Sequence, residues 1–171
     1  MRPLPAMRQI GRGDIEVGER LIAVEMPYPE FVRRFGAKHL DQPADWDAPG
    51  PVELWFFELP WGHRITLERH KSIDLFNIYL ECLEIEAVLD FLELRAFEIH
   101  VEAFMVELLR TKYPVYTKDL EPCRLFRLDD NGNRILMHEY ESRRVANYYQ
   151  RVYEGRGHKQ LYWVEGVSEG H

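Results

Sequence analysis

The apolar residues of this chain change their period near residue 84, and that change limits what the chain can fold into. Before it, "VELWFFEL" and "HRITLER" are short runs rich in aromatic and β-branched residues, joined by Pro60-Trp61-Gly62, and they read as paired strands. "IDLFNIYLEC" predicts a third strand. From Ile85 onward the spacing becomes helical. Ile85, Val88, Leu89 and Leu92 fit one helix, while Phe97, Val101, Phe104, Leu108 and Leu109 predict a second, longer one ending near Tyr113-Pro114.

Upstream, "YPEFVRRFGAKHL" predicts a short helix with Pro29 at its entry and Gly36 at its exit, and "DQPADWDAPGPV" is loop. In the last third, "CRLFRL" and "RILMHEY" flank Asp129-Asp130-Asn131-Gly132-Asn133. Asn-Gly between apolar runs signals a hairpin because both residues tolerate positive φ. Ser142 then reads as the N-cap of a helix carrying Val145, Tyr148, Tyr149 and Val152 and closing at Gly155 or Gly157, and "HKQLYWVE" ends the unit as a strand. The fold class is therefore α+β: an antiparallel sheet packed against helices, with a C-terminal ββαβ unit over residues 123–165. At 171 residues and 46% hydrophobic, the chain is expected to form one compact domain over 1–171, with ends 1–13 and 166–171 free to fray.

Cys82 and Cys123 are the only cysteines, too few for a disulfide framework, so a reducing, cytoplasmic setting is expected. The N-terminal stretch lacks the apolar core of a secretory signal, and no run has the length of a membrane span.

Net charge is −7, but it is unevenly placed. From Ser72 to Leu109 nine acidic residues face one basic residue, Arg95, a balance of −8. From Arg110 to Val164 eleven basic residues outnumber seven acidic ones, a balance of +4. Such polarity bears on partner choice and steering rather than on fold. Within the acidic segment Glu86, Asp90 and Glu93 follow helical spacing, and Glu98 and Glu102 repeat it on the longer predicted helix. Like charges four apart cost about 0.2–0.5 kcal/mol per pair. These residues are either the wet face of core-packed helices or a face kept clear of internal cations so that a basic protein can dock on it. Asp45 and Asp47, beside Trp46 in the Pro-rich loop, are candidates for the same surface or plain turn formers.

Other constellations carry less. His63, His70, His100 and His138 show no metal spacing, and "DDNGN" fails as a calcium loop because Arg134 and Tyr140 stand where Gly and Glu are needed. No metal, cofactor or catalytic residue is assigned. Arg143, Arg144, Arg151 and Lys159, interleaved with tyrosines, would be the residues of a nucleic-acid surface, but their spacing makes the aromatics core and the cations rim, so nucleic acid is not the expected partner.

Two stretches, "PYPEFVRRFGAKHL" with "GPVELWFFELPWGHRITLE" and "FRLDDNGNRILMHEYESRRVANYYQRVYEGRGHKQLYWVE", resemble small bacterial proteins of the kind that act as immunity partners of polymorphic or contact-delivered toxins. The resemblance is one of style and assigns no position. It implies a cytoplasmic, non-enzymatic inhibitor of a basic toxin; the charge pattern, not the resemblance, offers Glu86, Asp90, Glu93, Glu98, Glu102, Asp45 and Asp47 as its partner-binding residues. A different class stays open, a small hydrolase or ligand-binding enzyme with a cleft lined by Trp55, Trp61 and Trp163. Self-association is also left open.

Overall fold

Between Leu40 and Leu80 the strand-like runs are realised as neighbouring antiparallel strands. The computed structural model describes residues 7–11, 18–42, 51–70, 73–157 and 160–167. In chain order the elements are β1 (Arg8–Gln9), β2 (Glu19–Glu25), α1 (Tyr28–Phe35), β3 (Leu40–Gln42), β4 (Val52–Glu58), β5 (Arg64–His70), β6 (Leu75–Leu80), α2 (Ile85–Phe91), β7 (Glu98–Val101), α3 (Ala103–Lys112), β8 (Cys123–Leu128), β9 (Arg134–Tyr140), α4 (Arg143–Glu154) and β10 (Tyr162–Gly166). The class is α+β, as the period change requires. The chain divides into two compact units, Met1–Tyr116 and Thr117–His171, the second containing the ββαβ segment that the sequence reading kept inside one domain. Arg8–Gln9, within the end expected to fray, pairs with β4.

In the first unit the strand order is β1-β4-β5-β6-β2-β7, with β3 also on β4. Register aligns Trp55, Leu67, Ile78 and Ile22 across four strands, and all four are buried. This is the core face, and α1 lies on it: Phe31 packs edge-on to Trp55 and Phe76 at 4.7 and 4.8 Å. Side chains alternate in β5, with Ile65, Leu67 and Arg69 inward. β4 does not alternate, because Val52, Leu54 and Phe56 on its other face are covered by Ile10 and Leu40. Each large apolar side chain so buried contributes about 1.5–3 kcal/mol.

Polar groups fix the connections. Arg69, fully buried, donates to the Met26 carbonyl and to Asp74, and its guanidinium lies over Tyr28 at 5.0 Å, tying β5 to the start of α1. Gly18 approaches β6 so closely that a Cβ there would stand 2.2 Å from the Leu80 carbonyl oxygen, which only glycine tolerates. The β4–β5 turn uses Gly62 at φ +96° and a 2.7 Å bond from Leu59 N–H to the His63 carbonyl.

The expected long helix from Phe97 to Tyr113 is corrected. After α2 a short 3-10 turn, Leu94–Ala96, leads into β7, and α3 begins only at Ala103. "EIHV" offers a strand-compatible alternation with β-branched Ile99 and Val101, and β2 supplies a free partner, which decides between two readings of a short apolar run. Glu93 sits between the two arrangements at φ +53°, a left-handed helix end without glycine. Arg34 donates to the carbonyls of Leu92 and Glu93 at that end.

The second unit is the predicted ββαβ. β8 is central in the order β10-β8-β9, and Cys123, Leu125 and Tyr162 pack with Val145 and Ala146 as its buried residues. The β8–β9 turn closes through Asp129, whose carboxylate accepts from the N–H groups of Asn131 and Asn133 at 2.9 and 2.7 Å, with Gly132 at φ +80°. Ser142 caps α4 by accepting from Val145 N–H at 3.4 Å.

Candidate functional site

The acidic segment is best seen from the β2–β7 pair. Antiparallel register sets Glu25 directly opposite Glu98 and Ala23 opposite His100, while Ile99 opposes buried Val24 on the core face. Glu25, Glu98 and His100 therefore share the other face of the sheet, at its β7 edge. Among the described residues β7 has a strand neighbour on one side only. Glu25 and Glu98 are 56% and 67% exposed, so both carboxylates are solvated, and His100 Nε2 lies 3.7 and 3.6 Å from them. Like charges directly opposite on a strand pair destabilise it, so this edge carries a cost that packing does not require. Beside it Val101 and Phe104 are exposed, Phe104 by 78%.

The other predicted residues divide. Glu86 and Asp90 are exposed on α2 at the expected spacing, but both bind Arg95, Asp90 at 2.7 Å, and these two carboxylates hold the guanidinium's pKa above its ordinary value. One guanidinium thus offsets part of the charge of two carboxylates. Glu93 is exposed at the left-handed end of α2. Glu98 and Glu102 share no helix: the first is in β7 and the second stands at the N-cap position of α3 without a side-chain capping bond, its carboxylate 3.6 Å from Arg20. Asp45 and Asp47 lie outside the described residues, while Asp41 pairs with Lys38 at 2.8 Å. The five carboxylates of the sequence reading thus become an Arg95-bridged pair on α2, Glu93 at the end of that helix, Glu98 in β7 and Glu102 at the start of α3, and Glu98 gains Glu25 of β2 as its cross-strand neighbour. Glu25 was missed because its neighbour Glu98 is 73 positions away in sequence and only strand register joins them.

The tryptophans proposed to line a cleft occupy three different surroundings. Trp55 is buried against Phe31 and donates to the Gly36 carbonyl at 3.1 Å. Trp61 packs edge-on to Phe91, and Trp163 stacks on Phe126 in the second unit. Arg143 and Arg144, two of the basic residues considered for nucleic acid, pair with Glu121 and Asp119, and Lys159 lies outside the described residues. A pocket of about 270 Å³ is lined by Glu19, Met105, Leu108, Leu109, Tyr113 and Tyr116, and burial, then the charges of Glu19 and Glu81, raises the Tyr116 pKa.

One interior cluster was not foreseen. Glu84, buried, accepts from Trp61 Nε1 at 2.7 Å, and the same carboxylate oxygen lies 2.7 Å from His63 Nδ1. Cys82 Sγ approaches that nitrogen at 3.5 Å. The strand register explains the meeting: Ile65 opposes Leu80, so continuing the pairing two residues outward brings His63 opposite Cys82. No sequence motif marks it, since the ligand-type residues are separated by a whole strand pair.

No protein-family model, curated protein or solved structure matches the chain. Among the described residues no helix is long and apolar enough to cross a membrane.

Proposed function

We propose that this chain is a non-enzymatic binding protein, an inhibitor of the immunity type, which engages a basic protein partner at the β7 edge. The observation that carries the reading is the pair of exposed carboxylates Glu25 and Glu98 facing each other across β2 and β7, on a strand whose outer side has no strand neighbour among the described residues. An extended basic segment of the partner would add to β7 through main-chain hydrogen bonds, and its Lys and Arg side chains would relieve the repulsion. Val101, exposed at the end of β7 on the face opposite Glu98 and His100, and exposed Phe104 of α3 add apolar surface near this edge. Glu86 and Asp90 have a lesser part, because Arg95 already meets them. A partner whose active site handles polyanions would be blocked by such a surface in the cytoplasm.

Co-expression with the basic product of the adjacent gene tests this. A complex is expected whose association slows with added salt. Glu25→Lys with Glu98→Lys should weaken it at least 100-fold, whereas Glu86→Lys should change affinity less than about threefold. Full affinity in the double Lys variant sinks the edge, and if the carboxylates only guard that edge, Gln variants will self-associate without any change in partner binding.

A further inference from the structure

We propose that His63, Cys82 and Glu84 form a buried site for one Zn²⁺ ion, independent of the partner-binding edge. The three residues offer an imidazole nitrogen, a thiol sulfur and a carboxylate oxygen, all within 4.8 Å of one another. That donor set suits zinc, a borderline-soft ion bound by Cys, His and carboxylate in tetrahedral geometry. Zinc–ligand bonds of about 2.0–2.3 Å place neighbouring donors roughly 3.3–3.6 Å apart. The 3.5 Å between Cys82 Sγ and His63 Nδ1 already meets this. The 2.7 Å between His63 Nδ1 and Glu84 Oε2 is a hydrogen-bond separation that must open by about 0.6 Å as the ion replaces the proton.

Nδ1 of His63 is approached by both Glu84 and Cys82, so the three ligand atoms converge on one point where a single cation can engage them together. Charge points the same way: a thiolate and a carboxylate together balance Zn²⁺, so the loaded site buries no net charge, which an interior strongly favours. On loading, the Cys82 thiol proton leaves to solvent, the imidazole proton sits on Nε2, and Nδ1 takes the metal.

The surroundings fit a buried site with three protein ligands and one water completing the tetrahedron. His63, Cys82 and Glu84 are 7%, 4% and 1% exposed, so a bound ion is held away from bulk solvent. Trp61 donates to Glu84 at 2.7 Å and so orients the carboxylate from outside the ligand set. The ligands come from the β4–β5 turn and from the segment between β6 and α2, so the ion would staple the ends of two neighbouring strands to the start of a helix. The exposed Glu25, Glu98 and His100 are the competing cluster, and their position at the surface makes them the natural control.

Chelator-treated protein titrated with Co²⁺ in place of Zn²⁺ provides the test. One equivalent should produce a thiolate-to-cobalt charge-transfer band and the visible bands of tetrahedral cobalt, both removed by one equivalent of Zn²⁺. Cys123→Ser leaves Cys82 as the sole thiol and should keep the band. Cys82→Ser should abolish it, and Glu84→Gln and Trp61→Phe should each weaken binding at least tenfold. Absence of a thiolate band in folded protein overturns the site, as does its loss in Cys123→Ser. So does tight binding that survives Cys82→Ser and disappears with Glu98→Gln. Absence of the band in the folded wild type overturns the site even if every variant fails to fold, and Cys123→Ser, itself a change at a buried position, counts only where its circular dichroism matches the wild type.

Discussion

The seven-stranded sheet ends in two edges built on opposite principles. At the β4 edge the backbone is covered: β1 and β3 pair along it, Ile10 N–H reaches the Phe56 carbonyl at 3.2 Å, His39 N–H reaches the Leu54 carbonyl at 3.0 Å, and Phe56 N–H donates to His39 Nδ1 at 2.9 Å. Beneath lies the apolar group of Ile10, Leu40, Val52, Leu54 and Phe56. At the β7 edge, Glu98 and His100 point to solvent and no described strand follows. Open edges invite pairing, and proteins normally cover or charge them. Here one edge is closed by packing and the other is held by charge, so damage to the first should cost stability and damage to the second should cost binding.

The largest effect is expected from Phe56→Ala, which empties the apolar group under the closed edge and should cost about 3–5 kcal/mol in urea unfolding. A loss below about 1 kcal/mol would mean that this cover contributes little.

Next comes His39. Replacing it with Ala strands the Phe56 N–H and should cost about 1–3 kcal/mol. Burial lowers the His39 pKa, in keeping with a ring nitrogen that must stay unprotonated to accept that bond. The unfolded chain then binds the proton more readily, so the stability from His39 is complete above the ordinary value near 6.5 and is lost as pH falls through the depressed folded value. His39→Asn keeps an acceptor that does not titrate. Unfolding measured from pH 7 to pH 5 should show a shallower decline for Asn than for the wild type, and identical slopes would refute this role.

On the acidic side, Glu93→Gly should stabilise the protein by about 0.5–1 kcal/mol, because the left-handed conformation suits glycine and the side chain is exposed. A melting temperature below that of the wild type would show that the Glu93 side chain makes an energetically useful contact. Smallest is Glu98→Gln, expected to gain about 0.2–1 kcal/mol by removing the charge opposite Glu25 while weakening the complex. Loss of stability and unchanged affinity together would reverse the contrast between the edges.

How far these edges could be read in advance depended on how local their causes are. β4, β5 and β6 were legible because each carries enough apolar and β-branched residues to choose extended backbone by itself, and Pro60-Trp61-Gly62 marks the turn between two of them. The β8–β9 turn and the Ser142 cap were legible for the same reason, since their deciding hydrogen bonds span four residues or fewer. β7 was not. Its four residues suit either period, and what selects a strand is β2, more than 70 positions earlier. With that misread, Glu98 and Glu102 were placed on a helix face and Glu25 went unnoticed, whereas the exposure of Glu86 and Asp90 on α2 was anticipated and their bridging by Arg95 was not.

By itself the sequence determined the α+β class, the β4–β5 pair with a third strand after it, the ββαβ end and the concentration of negative charge in one stretch, because period, turn chemistry and composition act over a few residues. Tertiary structure alone decided which carboxylates face one another and which are neutralised. It also brought His63, Cys82 and Glu84 to one point, because strand register is set by partners far along the chain, and a one-residue slip in it would send the same side chains to the opposite face.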